Sequence, residues 1–232
     1  MKNLKKIVVG IYVSILRRKE KQYVKTPFSR EKLIYPFRLL THPIATFSDL
    51  KYEGKFSMGI AWVMAALFFL EQALAFEGTG YLFNGHYGEP LNTISMLVTT
   101  VGLLGLWAIC NWATSTLGNG EGKMSEIWMV MCYSLLPWIV TGAIAIVLSN
   151  IVTTDEQILF TTFQVIGIGW SLLLMFLGTL VVHQYTVKQT IGSVVVTALL
   201  LLGAAFLLLM LYGIVQEIRN FVSGIFTELS YR

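Results

Sequence analysis

Residues 191–215 read IGSVVVTALLLLGAAFLLLMLYGIV, without one charged side chain. A helix needs about 20 apolar residues to cross the hydrocarbon core of a bilayer, so this stretch predicts a transmembrane helix. Four earlier stretches predict the same, at about 56–76, 94–113, 127–148 and 159–182. The composition agrees. Charged residues make up 13% of the chain, against roughly 25% in soluble proteins, and the mean hydropathy is +0.67. The expected fold class is an all-α, polytopic integral membrane protein with five transmembrane helices.

Charge sets the expected orientation. Thirteen of the seventeen Lys and Arg residues lie between Lys2 and Lys55, just ahead of the first span. Such a segment is held in the cytoplasm and attracts anionic lipid of the inner leaflet. The net charge of +4 is therefore a membrane signal, and no nucleic-acid partner is implied. The loop at 77–93 carries Glu77 and Glu89 without a Lys or Arg, which places it outside. Lys123 places the loop at 114–126 inside, and Lys188 does the same for the turn at 183–190. Asp155 and Glu156 place the loop at 149–158 outside. The expectation is a multi-pass plasma-membrane protein with a cytoplasmic N-terminus and an extracytoplasmic C-terminus. Trp107, Trp112 and Trp128 would form an aromatic belt near the inner ends of spans two and three.

Both ends carry apolar residues at helical spacing. Leu4, Ile7, Val8, Ile11, Tyr12, Ile15 and Leu16 fall on one face, flanked by bases. They predict an amphipathic helix on the inner leaflet, or one docked on the protein's own spans. Ile218, Phe221, Val222, Ile225, Phe226 and Leu229 repeat the pattern. They predict an interfacial helix on the outer surface, or an extension of span five into water. Three segments follow: a basic cytoplasmic segment at 1–56, a five-span domain at 57–215 and an extracytoplasmic amphipathic tail at 216–232. Pro27, Pro36 and Pro43 divide the first into short pieces, because proline favours a helix start or a break.

The chemistry-bearing residues are few. Glu71 is the one acid well inside a span, where insertion scales give a cost of roughly 2.5–3.5 kcal/mol. Its two readings are a structural hydrogen bond and a proton or transport role shared with Thr99 and Thr100. His183 ends span four roughly 20 Å from the level of Glu71 by helical rise, too far for an acid–base pair. His42, His86 and His183 do not converge on a metal, and Cys110 and Cys132 read as small packing residues. No His-Glu-x-x-His, Gly-x-Ser-x-Gly or Walker pattern occurs. No enzyme activity and no cofactor are expected. Pro137 should kink span three and free the carbonyl of Tyr133, which a hydroxyl or another helix would satisfy. Gly118 to Gly122 reads as a flexible connector. Gly167, Gly169, Gly178 and Gly203 would permit close helix packing.

Three stretches together resemble the Yip family, named for interaction with Ypt/Rab GTPases, and in particular its bacterial branch. Leu40-Thr41-His42-Pro43-Ile44-Ala45-Thr46-Phe47 is similar to the family's Pro-x-x-x-Phe entry segment. Gly118 to Gly122, followed by Tyr133-Ser134-Leu135-Leu136-Pro137, resembles its inner glycine loop and Gly-Tyr-x-x-x-Pro helix, with Cys132 in place of the glycine. His183-Gln184-Tyr185-Thr186 resembles its His-containing turn. The likeness covers roughly 38–215. It implies a non-enzymatic protein of membrane organisation or trafficking, with partners among other membrane proteins. The basic segment replaces the long acidic N-terminal region of eukaryotic members, which weighs against GTPase binding. The leading expectation is an adaptor or scaffold. The rival is a transporter, or an accessory subunit of a transport complex, using Glu71.

Overall fold

Each apolar run forms a helix in the computed structural model, which describes residues 30–86 and 88–231. The amphipathic stretch expected at 4–16 lies outside the described residues. Two short helices come first, α1 (Arg30–Thr41) and α2 (Pro43–Ser48), then a π turn, Asp49–Glu53. Span one is α3 (Met58–Gly78) and span two is α4 (Thr93–Leu117), which holds a π turn at Val98–Gly102. Span three is α5 (Met124–Ser134) followed by α6 (Leu136–Ser149). Span four is α7 (Gln157–His183) and span five belongs to α8 (Val187–Ser230). All five spans are long and apolar enough to cross a membrane. The protein is all-helical among the described residues, and it is a multi-pass membrane protein.

Local chemistry sets the helix starts. Asn92 accepts the Ser95 N–H at 3.0 Å to open α4. Thr186 and Gln189 form a reciprocal capping box at the start of α8, with the Thr186 N–H donating to Gln189 Oε1 at 2.9 Å. Such boxes satisfy two backbone donors that a helix start otherwise leaves without partners. Between α7 and α8, Gln184 adopts a left-handed φ of 55°, which turns the chain sharply.

The loops sort onto two ends of the bundle, as their alternation predicts. At one end Lys51 Nζ donates to the Glu121 carbonyl at 2.9 Å, and Gln184 Nε2 donates to Glu121 Oε2 at 2.6 Å. The pre-span segment, the glycine loop and the 183–186 turn therefore meet. At the other end the Gly80 N–H donates to Ser149 Oγ at 2.8 Å, and Asn150 Nδ2 donates to the Gly78 carbonyl at 2.8 Å.

The core lies between α3, α5 and α7, with the pre-span segment filling one end. Tyr35, Leu39, Phe47 and Leu50 share this core with span residues. Trp128 is buried against Trp62, with ring centroids 4.8 Å apart, so it does not face lipid as a belt residue would. Gly167 and Gly178 each sit where a Cβ would collide with a neighbouring helix, whereas Gly169 and Gly203 face open space. Only the first pair serves packing.

The tail is helical and unbroken from span five. No proline interrupts 187–230, and an exposed glycine costs a helix only about 1 kcal/mol, so Gly213 and Gly224 do not end it. Its 44 residues span about 66 Å at helical rise, about twice the roughly 30 Å hydrocarbon core.

Candidate functional site

Pro43 begins α2 at its first helical position, and the Thr46 hydroxyl donates to the His42 carbonyl at 2.7 Å. One turn further, Phe47 is fully buried between α5 and α7. A Cβ at Gly178 would lie 2.3 Å from Val130 Cγ1 and 3.0 Å from Phe47 Cζ. The Pro-x-x-x-Phe spacing thus sets a helix start and, one turn on, an anchor that needs a glycine opposite it. Phe47 continues into an aromatic cluster with Phe56 and Tyr35. Tyr133 closes the cluster, its ring 4.5 Å from that of Phe56. The Tyr133 hydroxyl accepts the Ser57 N–H and donates to the Ser57 carbonyl, both at 3.3 Å. It therefore caps the entry of span one.

The break in span three falls at Leu135, two residues before Pro137. The Tyr133 carbonyl accepts a backbone N–H of the helix cap, not the hydroxyl or other helix expected from sequence. The Trp138 N–H leaves the helix ladder and donates to Ser171 Oγ on α7 at 3.1 Å. Burial makes that partner necessary, because an unpaired amide in hydrocarbon is costly.

His183 is buried at the end of α7 and bonded on both ring nitrogens. Its Nδ1 accepts the Gly122 N–H at 3.2 Å, which leaves the proton on Nε2. Nε2–H then donates to Asn111 Oδ1 at 3.0 Å. The donors run on in one direction. Asn111 Nδ2 donates to Thr197 Oγ1 at 3.4 Å, Thr197 Oγ1 to Thr114 Oγ1 at 3.2 Å, and Thr114 Oγ1 to the Cys110 carbonyl at 2.9 Å. This chain ties the glycine loop to α4, α7 and α8. Tyr185 stacks on the imidazole and donates to the Gly118 carbonyl at 3.3 Å; burial raises its phenol above the ordinary value. A Cβ at Gly120 would lie 2.5 Å from Tyr185 Oη, and one at Gly122 2.5 Å from His183 Cε1. The loop expected to be a flexible connector is a fitted cover over His183.

Ion pairs fix the same end. Lys51 pairs with Glu126 at 3.4 Å, and Arg38 with Asp49 at 3.7 Å. Lys55 is raised well above the ordinary lysine range, chiefly by the Glu53 carboxylate, with Tyr35 and Asp49 adding to it.

Glu71 belongs to the opposite half of the bundle. Its carboxyl turns inward onto α6, where a Cβ at Gly142 would lie 2.1 Å from Oε1. Gln72 Nε2 donates to Glu71 Oε2 at 2.8 Å. Gln72 also reaches a hollow of about 390 Å³ between α3, α4, span three, α7 and α8. The polar members of its wall are Gln72, Thr99, Thr100 and Ser171; the rest are apolar and none is charged. The hydroxyl of Thr100 is turned back to the Met96 carbonyl, at 2.6 Å. It is open along one side, since Thr99, Leu103 and Leu172 in its wall are exposed.

The sequence model of the Yip1 domain family matches residues 37–210. The chain belongs to the Yip1 domain family. No match was found among curated proteins or among solved structures.

The matched region of this Yip1 domain holds all five residues that the sequence singles out: Pro43, Glu71, Tyr133, Pro137 and His183. The structure joins Tyr133 to the Pro43–Phe47 wedge through Phe56, and keeps Glu71 and His183 in separate clusters. Sequence reasoning missed Asn111, Thr114, Thr197, Gln72 and Ser171. Asn111 carried a signal, since an amide inside an apolar span needs a partner. Thr197 carried none, because threonine is common in spans and its partners come from another helix.

Proposed function

We propose that this Yip1 domain protein is a non-enzymatic adaptor or scaffold of the plasma membrane. Its N-terminus is cytoplasmic, and it organises partner membrane proteins. The observation that carries the reading is α8. It packs against α4 and α7 near its start, through Thr190, Ser193 and Thr197, and is exposed from Phe206 to Thr227 at every position but Gln216. Asn111, Thr114, Ser149, Ser171 and His183 tie one segment of the bundle to another, which suits a rigid scaffold that presents a surface. The basic N-terminal segment contributes by holding anionic lipid of the inner leaflet.

The test places a photocrosslinking residue at Leu207 or Phe221 in cells. A discrete adduct with another membrane protein supports the adaptor reading. Lipid adducts alone, together with unchanged phenotypes on deletion of residues 1–22, sink it. Orientation is tested separately: Lys123→Cys should be sealed from an impermeant thiol reagent in intact cells, and Glu89→Cys should be open to it.

A second reading is a transporter or accessory transport subunit. It is favoured by the contact of Glu71 with Gln72 at the edge of the hollow. Flux in proteoliposomes that disappears in Glu71→Gln supports it, and unchanged flux removes it.

A further inference from the structure

The hollow beside Gln72 has a length, a direction and a wall chemistry. Along α4 its wall runs from Thr99 to Trp107, about 12 Å at helical rise. Along α3 it runs from Phe68 to Gln72, and along α7 from Ser171 to Met175. The long axis therefore follows the spans and so lies along the membrane normal. Phe68, Leu135, Ser171 and Leu201 all sit near the middle of their spans. The mouth opens at the depth of the hydrocarbon core, where water is scarce and alkyl chains are the surrounding phase.

Three properties then choose the occupant. The volume of about 390 Å³ lies within the roughly 300–1,000 Å³ of ligand cavities. Its walls offer too few polar partners for a cluster of waters, which need two to four hydrogen bonds each. No charged side chain lines it, which excludes a headgroup or an ion as the buried part.

We propose that this hollow binds one acyl chain of a bilayer phospholipid. The chain enters from the leaflet at the 79–92 loop end, with the carboxamide of Gln72 and the hydroxyl of Thr99 at the polar end of the hollow. The π turn at Val98–Gly102 lies along this wall. Such turns interrupt the regular ladder and are frequent at functional sites. The site is independent of the adaptor role, because it needs no protein partner.

The full chain is reconstituted in bilayers containing a phospholipid with a photoreactive diazirine in one acyl tail. After irradiation the labelled residues are mapped by mass spectrometry. The expected result is enrichment at 68–72, 99–107 and 171–175 over the outward-facing Val165 and Ile166. Thr100→Phe and Leu103→Trp, each filling the hollow, should lower labelling of these stretches severalfold and leave Val165 and Ile166 unchanged. Two variants at different wall positions, each checked for a monodisperse, cooperatively unfolding protein, separate filling from misfolding. Uniform labelling of all lipid-facing residues overturns the proposal. So does an unchanged pattern in both well-folded variants, or preferential labelling by a photoreactive isoprenyl alcohol over the phospholipid.

Discussion

Replacing Gly122 with alanine strains the His183 cluster at its tightest point. The new Cβ would lie 2.5 Å from His183 Cε1, 2.6 Å from its Nδ1 and 2.8 Å from Val182 Cγ1. Carbon pairs rest at about 3.5–4.0 Å, so something must move. The imidazole cannot yield cheaply, since Nε2 is tied to Asn111 and the ring is stacked on Tyr185. The loop must move instead, giving up the Gly122 N–H bond to Nδ1. Overpacking costs about 1–3 kcal/mol and a lost hydrogen bond about 1 kcal/mol, so the expected destabilisation is about 2–4 kcal/mol. Cys110 and Cys132 are buried free thiols and serve as reporters of unfolding. Unfolding in mixed micelles, followed by thiol labelling, should show an earlier midpoint for Gly122→Ala. Gly105→Ala is the control, because nothing lies within 4 Å of its would-be Cβ; it should be neutral or stabilising by up to about 1 kcal/mol. His183→Ala removes the atoms that the new methyl meets. Contacting sites couple by about 0.5–3 kcal/mol, so the double variant should lose less than the sum of the singles. A wild-type midpoint for Gly122→Ala, or strict additivity with His183→Ala, would refute the fitted-cover reading of the loop.

Four further outcomes are expected. Phe47→Ala should cost about 3–5 kcal/mol, as large-to-small changes at fully buried aromatics do, in the same unfolding assay. Ser171→Ala strips the Trp138 N–H of its acceptor and should cost about 1–3 kcal/mol, whereas Thr162→Ala, whose hydroxyl only returns to the Ile158 carbonyl on an exposed face, should cost little. Lys55 has a folded pKa raised above its unfolded value. Its contribution is therefore complete below the unfolded pKa of about 10.4 and declines as pH rises beyond it; Lys55→Met should lower the midpoint at pH 8 and flatten the alkaline decline seen by pH titration. Asn111→Leu should loosen the packing of α8 on α4, read as faster proteolysis within 187–200 while Cys132 stays protected.

Helix count and order were legible because span length is a one-dimensional property. A run of apolar residues must form a helix in hydrocarbon, whatever its neighbours, since its backbone has no other donor or acceptor there. The five runs, the sorting of loops onto two ends, and the placing of Pro43 at a helix start all follow from that kind of local rule. Trp128 was misread for the opposite reason. Its depth was right, but whether it meets lipid or Trp62 depends on how α5 rotates against α3. Pro137 was read to the correct region, yet a cap N–H takes the Tyr133 carbonyl, and the bond to another helix is made by the Trp138 N–H, because Ser171 lies opposite on α7. Phe47 and Gly178 each stood out in the sequence, but only the fold brings them together.

The sequence by itself determined that this chain is a five-span membrane protein, helical among the described residues, with a basic leading segment. Apolar length and charge asymmetry act through the solvent, and the solvent acts on each segment separately. Only the tertiary structure decided which polar residues find one another: His183 with Asn111, Thr197 and the glycine loop; Trp138 with Ser171. In hydrocarbon a buried donor or acceptor must be matched by some partner, and the sequence states that need. Which partner meets it depends on the rotation and separation of helices distant in the chain, and those are fixed only when the glycines and aromatic side chains pack.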